Sequence, residues 1–568
     1  MDPVIIVGNG PVGQTAALLL ARWGVPCVVL DRRPERDVIG SKAICQHRDV
    51  IDIWAAVGVG EQVAREGVTW STARTFHQGA ELFSYTLTDP GRSPFPPFVN
   101  LSQSRTEELL DAAVGAEPLI DVRWGCEVTG ITQDSAGVTV ECGSVGVRGP
   151  YAILCAGASC GELRRQLGVT FEGESFDDRF LICDIKADLA GWATERRFHF
   201  DPSWNPGRQV LIHPTPGSTF RIDWQVAAGY DLEAEAASGA LDARIRAVIG
   251  ETAYEIVWMS VYRFHSRCVD RMRVGRVLLA GDAAHLMSPF GARGLNSGVA
   301  DAENAAWKLA YLLRGWAGPE LLESYHAERH AAAAENIAVT TATMDFLVPP
   351  DAPRKAHRTD VLTRAAADPA VRAQVDSGRL YEPFWYVDSP LTTPDPGRPF
   401  AGRPPRGQSP PPGPGTLVPD TPLTDGTNKT DGTDGAPGKG RKATFLPPEG
   451  RKVAFLPSPR SGSRLREVAR DGFLLLAAPD VDPAELAAAA EAATGPVRVL
   501  ALDAVDPTGE LLGAGSGEVF VVRPDAHIAA VVPTAAVAEA LGRALGGPHH
   551  PVPADREEVN DGVLPQHR

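Results

Sequence analysis

Two acids in this chain stand where an apolar run ends. Asp31 closes Val28-Val29-Leu30, and Asp282 closes Arg276-Val277-Leu278-Leu279-Ala280-Gly281. Ahead of the first lies Val4-Ile5-Ile6-Val7-Gly8-Asn9-Gly10-Pro11-Val12-Gly13, a β-branched run followed by a G-x-G-x-x-G turn. In a dinucleotide site Gly8 makes the tight turn, Gly10 lets the backbone approach a pyrophosphate, and Gly13 lets helix and strand pack closely. A carboxylate at the end of the second strand, where Asp31 falls, can accept hydrogen bonds from ribose hydroxyls.

These residues need a strand, a helix and a second strand to hold them. The apolar segment 15–23 supplies the helix, whose N-terminus presents unpaired N–H groups and a partial positive charge to phosphates. Strand, turn, helix, strand and acid are in register, so the unit reads as a dinucleotide-binding βαβ. A polar loop with Arg32, Arg33, Arg36 and Lys42 follows, then a segment of helical spacing with Val50, Ile51, Ile53, Trp54 and Val57. Lys42, His47 and Arg48 at its start would suit a diphosphate or a flavin edge; a solvated basic face is the plainer alternative.

The chain has 568 residues, too many for one core. Its formal charge, 55 basic minus 71 acidic residues, is −16, which disfavours a general nucleic-acid binder. No apolar run reaches membrane-spanning length, and the early motif leaves no room for a signal peptide before it. The eight cysteines show no C-x-x-C pair or metal-ligand spacing, so they read as reduced thiols of a cytoplasmic protein, with no metal site.

Further along, Gln103 precedes a helix. The apolar strand Tyr151-Ala152-Ile153-Leu154-Cys155 returns the chain to a parallel sheet. Residues 176–263 read as strands separated by Pro and Gly turns, a mostly antiparallel insertion. After Asp282 come Met287-Ser288-Pro289-Phe290-Gly291-Ala292-Arg293-Gly294-Leu295-Asn296 and two long helical stretches, expected at 297–314 and 321–348. Residues 389–463 are dominated by Pro, Gly, Thr and Asp and read as a flexible linker. Order resumes near 464 with a β-α-β-β-β-α pattern that carries no chemistry of its own.

Together, Gly8 to Gly13, Gln103, Arg276 to His285, Gly291 to Asn296, Asp301-Ala302-Glu303-Asn304 and Trp307-Lys308-Leu309-Ala310 resemble the single-component FAD-dependent aromatic hydroxylases. The branch most resembled is that of the 3-(3-hydroxyphenyl)propionate, resorcinol and polyketide hydroxylases. The resemblance implies an α/β fold with a Rossmann-like FAD-binding domain in two parts (1–175 and 264–388), an inserted substrate domain (176–263) and the linker (389–463). A thioredoxin-like domain without redox cysteines (464–548) and a tail (549–568) complete the map. It also implies that Asp31 binds the adenosine ribose, that Gln103 lies by the flavin or ribityl chain, and that Asp282 bonds a ribityl hydroxyl. Arg32, Pro289, Gly291, Gly294, Leu295 and Asn296 join the expected FAD contacts, with the helix after Asn296 aimed at the flavin pyrimidine.

The implied activity is hydroxylation of a phenolic or polyketide-type aromatic by dioxygen and NADH or NADPH, through a flavin hydroperoxide, in a protein that could form a homodimer. His213, Tyr262 and His265 are the candidate bases for the substrate phenol. A Baeyer–Villiger oxygenase and a non-catalytic flavoprotein are the alternatives. One departure stands out: the family's Asp-Gly turn is Ala156-Gly157 here.

Overall fold

The computed structural model describes residues 1–36, 43–87, 89, 93–405, 408–423, 463–504 and 511–547, with the backbone alone at 453–455. Val4–Val7 and Cys27–Leu30 pair in parallel on either side of the helix Pro11–Arg22. All eight strand residues are buried, as expected where helices cover both faces of a parallel sheet. Ala152–Leu154 and Val277–Leu279 extend this sheet on one side and Ile120–Arg123 on the other, so Asp31 and Asp282 leave the same, C-terminal edge. Ligands bind at that edge in open α/β sheets.

A second sheet of eight strands forms the insertion, nearly all antiparallel, with Tyr254–Val269 and Phe171–Ala187 as its longest members. Both long strands cross the expected boundaries at 175 and 263, because one continuous ribbon carries the chain out of the first domain and back. Thr72–His77 and Ala80–Thr86 also belong to this sheet, the former pairing in parallel with Glu195–Phe200. One face packs Leu181, Ile212, Ile222 and Trp224 against Leu241 and Ile245 of the helix Ala240–Ile249. The opposite face is turned toward the edge of the parallel sheet.

The C-terminal unit is a five-stranded sheet in the order Val453–Phe455, Val497–Ala501, Phe473–Ala477, Glu518–Val522, Ile528–Pro533, parallel over the first three and antiparallel over the rest. Residues 389–405 and 408–423 are not a loose tether. Leu391, Val418 and Leu423 are buried, and this strap bonds to the C-terminal sheet through Thr393 N to Ala529 O (2.8 Å), Gly415 N to Ile528 O (2.7 Å) and Val418 N to Ala526 O (2.9 Å). Composition misled here because prolines tolerate an extended path along a sheet edge and a few well-placed apolar residues suffice to dock it. The rest of the expected linker apart from 453–455 and 463, and the tail from 549, lie outside the described residues.

Cys126 and Cys142 are joined as a disulfide, with Cα atoms 5.5 Å apart, so the expectation of eight reduced thiols is corrected for this pair. They sit on and beside adjoining antiparallel strands, a proximity that spacing alone does not reveal. The other six cysteines are free. Among the described residues no helix is long and apolar enough to cross a membrane.

Candidate active site

A cavity of about 850 Å³ runs from the glycine turn to the inner face of the eight-stranded sheet. At its first end, Gly8 has φ +106°, and a Cβ there would lie 2.4 Å from Cys155 O. A Cβ on Gly13 would lie 2.0 Å from Gly8 O, whereas one on Gly10 would meet nothing within 4 Å. Gly8 and Gly13 are therefore fixed by backbone packing, and Gly10 borders open space. The helix that starts here has no side-chain cap. Neither has the helix Arg293–Leu313, which opens on the same cavity after Ala292 in the left-handed region, φ +57°. By contrast, helices Arg48–Ala55 and Gln103–Gly115 are capped by His47 and Ser102. Uncapped N-termini leave backbone N–H groups for an anion or a ring carbonyl.

Asp31 sits at the rim. Its Oδ2 accepts from Asn9 N (2.7 Å) and its Oδ1 from Arg33 N (2.9 Å), while the Arg33 guanidinium bridges both oxygens at 3.0 Å. Burial opposes ionisation, but these bonds hold the carboxyl below its ordinary range, so it is a charged acceptor. Across the cavity Asp282 projects from the Gly281–Ala283 turn. That turn is pinned from behind: Gly281 N donates to Asp301 Oδ2 (2.9 Å), which also meets His285 Nε2 at 2.7 Å, and Asp301 Oδ1 accepts from Arg329 Nε (2.6 Å).

At the second end the wall is one face of the inserted sheet. Strand alternation places Phe180 and Ile182, Leu211 and His213, Arg221 and Asp223 on this face, with Arg196 beside them. Phe264 and Phe290 complete an apolar floor, their rings grouped with Phe180 at centroid distances of 4.5–6.0 Å. The polar members cluster together. Arg221 grips Asp184 through two bonds of 2.7 and 2.8 Å. His213 is pushed well below its ordinary pKa by burial and by Arg196 and Arg221, so its ring is neutral.

The model of a family described as "FAD binding domain" matches residues 1–340, three-fifths of the chain. This chain belongs to that FAD-binding family. A 3-(3-hydroxy-phenyl)propionate/3-hydroxycinnamic acid hydroxylase of Mycobacterium avium (strain 104) is 29% identical over 381 residues, spanning 64% of this chain and 64% of the relative. A dialkyldecalin synthase of Streptomyces rugosporus is 32% identical over 362 residues, 60% of this chain and 72% of that protein. The structure of the flavin-dependent monooxygenase PieE in complex with FAD and substrate superposes with a TM-score of 0.78 at 24% identity, covering 96% of this chain and 99% of that one, which shows a shared fold.

The cavity fits the cofactor of this FAD-binding family. The open strip beside Gly10, the two uncapped helices, and charged Asp31 opposite Asp282 suit a diphosphate flanked by hydroxyl-bearing chains. Of the residues expected to touch FAD, Gly8, Gly10, Pro11, Val12, Asp31 and Arg32 line its first end. Gln103, Asp282, Pro289, Gly291, Gly294 and Leu295 line it further in. Four expected residues do not line it. Gly13 and Gly281 are packing positions, the latter with Val12 against it. Arg48 is spent on Asp89 (2.8 Å). Asn296 is a tie: its side chain accepts from His47 N (2.9 Å) and donates to Cys45 O (3.0 Å) and Ala292 O (2.6 Å). The long helix begins at Arg293, so the N–H groups facing the cavity belong to the Arg-Gly-Leu turn rather than to residues after Asn296. Lys42 lies outside the described residues.

Of the three candidate bases, His213 lines the cavity, and Tyr262 and His265 do not. His265 falls on the face opposite Phe264 and bonds to Ser175 Oγ (2.8 Å). Tyr262 packs with the phenylalanine cluster, and burial raises its pKa, so it stays a phenol. Sequence reasoning did not place Arg33, Arg196 or Asp223 at the site; the alternation of the strands carried a signal for the last two, but not the face that mattered. Asp282→Ala is expected to weaken FAD binding ten- to a hundredfold, since a charge-assisted hydrogen bond is worth about 1.5–3 kcal/mol. Fluorescence titration of the stripped protein with FAD measures it, and an unchanged dissociation constant would remove Asp282 from the site.

Proposed function

We propose that this chain is an FAD-dependent monooxygenase that consumes NADH or NADPH and dioxygen to hydroxylate a phenolic or polyketide-type aromatic ring. The observation that carries the reading is the continuity of the cavity, which joins the cofactor end to an aromatic floor with a polar far wall. Bound FAD supplies the redox chemistry, taking electrons from the nicotinamide and passing them to dioxygen. The protein's part is placement. Phe180, Phe264 and Phe290 offer ring faces and edges against which a flat substrate packs, and they exclude water from the reacting face. The turn Arg293-Gly294-Leu295, at an uncapped helix start that lines the cavity, would offer backbone N–H groups to negative charge on a bound flavin. Ala156, in place of the family's acid, leaves one negative charge fewer beside the route of an anionic nicotinamide nucleotide. The strand order of the C-terminal unit supports reading it as thioredoxin-like, with a structural rather than a redox role.

The test is turnover of the FAD-loaded protein with a panel of phenols, naphthols and hydroxyanthraquinones, following NADH and NADPH oxidation and product mass under isotopically heavy dioxygen. Substrate-stimulated oxidation with one labelled oxygen in a ring hydroxyl is expected. A labelled ester from a ketone would favour the Baeyer–Villiger alternative. No oxidation of either nucleotide with any panel member would favour the non-catalytic one.

A further inference from the structure

The polar far wall contains a ring nitrogen and a carboxylate oxygen that nothing in the protein satisfies. Among the described residues, His213 Nδ1 and Asp223 Oδ1 are buried without a hydrogen-bond partner, and both residues line the cavity. His213 itself is 8% exposed. Buried polar atoms left unpaired in a cavity wall mark the place of a ligand's polar group. The charges around them nearly cancel. Arg221 is matched by Asp184, and Arg196, which donates to Ser377 O (2.7 Å) and acts on the His213 ring, is the second cation of this wall.

Resting on the reading that this cavity holds an aromatic substrate, we propose that the far wall selects a neutral hydroxylated ring end through Asp223 and His213 and discriminates against an aryl carboxylate. A phenolic hydroxyl both donates and accepts. It gives its proton toward Asp223 Oδ1 and meets the neutral imidazole of His213 with its oxygen, satisfying both orphan atoms at once. A carboxylate cannot donate. It would also meet the Asp223 carboxylate in a patch of two arginines and two acids, with no net positive charge to offset the loss of its hydration. Asp223 then serves as the acceptor of the phenol proton when the ring must become more electron-rich: the O–H bond breaks, the carboxylate takes the proton, and the ring oxygen keeps the electron pair.

The groups facing Asp223 set a pH signature. Burial raises its pKa to about 7, Arg221 on its own strand opposes this, and Asp184 on the neighbouring strand adds to it; His213, Arg196 and Tyr262 come from the other strands around it. Below that value Asp223 is neutral, the patch carries a net positive charge, and an aryl carboxylate is better tolerated. Above it, the repulsion returns.

Calorimetric titration of the FAD-loaded protein with single-substituent pairs, 2-naphthol against 2-naphthoate and 2-hydroxyanthracene against anthracene-2-carboxylate, tests this. At pH 8 the hydroxyl member of a pair is expected to bind at least tenfold more tightly, and at pH 6 that ratio falls at least threefold. In Asp223→Asn the ratio is small and the same at both values, while Asp223→Glu keeps its pH dependence. Equal or tighter binding of the carboxylate at pH 8, a ratio that does not change with pH in the wild type, or failure of every pair to bind overturns the proposal. Should Asp223→Asn fail to load FAD, the wild-type series decides. Binding is read without turnover, so a protein that shows this selectivity yet oxidises no NAD(P)H would overturn the monooxygenase reading and leave this one standing.

Discussion

Gly13→Ala is expected to yield a protein that neither keeps FAD nor reaches wild-type stability, whereas Gly10→Ala keeps its stability and loses the cofactor. At position 13 the new methyl would stand 2.0 Å from Gly8 O, 3.1 Å from Gly8 C and 3.3 Å from Ile6 Cγ2. Two of these are backbone atoms of the turn, so the helix must move outward as a body. Overpacking of this kind costs about 1–3 kcal/mol or more. The movement carries away the helix N-terminus that faces the diphosphate. At position 10 the backbone is extended, φ −84° and ψ 180°, which alanine adopts without strain, and its methyl would meet no protein atom within 4 Å. That methyl instead occupies the strip the diphosphate needs. Thermal unfolding and FAD titration of both variants separate the two effects. Wild-type FAD affinity in Gly10→Ala would show that the diphosphate lies elsewhere.

What could be read from the chain divides by the range of the interactions. The βαβ unit was legible because its signals are local: a run of four apolar residues, glycines at fixed offsets, then Asp31. The helix after Gly291 was misplaced by four residues because Ala292 takes a left-handed conformation, uncommon for alanine, and the two glycines around it look like a loop. The parallel pairing of Thr72–His77 with Glu195–Phe200, across more than a hundred residues, was not legible. The far wall shows the same limit. His213 drew attention as one of three candidate bases, while Asp223 gained meaning only when its register with Leu211 and Ile182 placed it on the cavity face. The cofactor end was therefore mostly legible, and the substrate end was not.

A long-range feature, invisible in any sequence window, carries the second large prediction. Arg523 of the C-terminal unit reaches Glu328 on the helix Glu323–Leu347 through bonds of 2.5 and 3.0 Å, and bonds Asp525 at 2.6 Å. Lys308 Nζ (2.6 Å) and Asn304 Nδ2 (2.7 Å) meet the same carboxylate. Asn304 touches the Tyr386 hydroxyl, which accepts from Arg329 (2.9 Å), and Arg329 holds Asp301 and the Ser297 carbonyl. A chain of buried charges thus runs from the C-terminal sheet to the Gly281–Ala283 turn and to the first turns of the helix Arg293–Leu313.

Arg523→Met would leave Glu328 with one cation and Asp525 with none of its strongest partner, both in a site closed to water. Removing one member of a buried pair costs about 3–5 kcal/mol, because the remaining charge is left uncompensated. Exposed Arg148, paired with Asp134 at 2.8 Å, serves as the control, and Arg148→Ala should change stability by no more than about 1 kcal/mol. The pH dependence follows from Glu328. Burial pushes its pKa up, but Arg523 and Lys308 hold it well below the ordinary glutamate value, so the stability it contributes is present above that value and is lost as pH falls through the folded one. Arg523→Met should flatten this acid limb. Unfolding followed by circular dichroism and FAD release followed by fluorescence are expected to move down in temperature together, since the chain ends at the turn that carries Asp282. If unfolding shifts and FAD release keeps its wild-type temperature, the C-terminal unit stabilises the fold without supporting the flavin seat. If neither shifts, the pair is dispensable, and the buried network holds the two units together without Arg523.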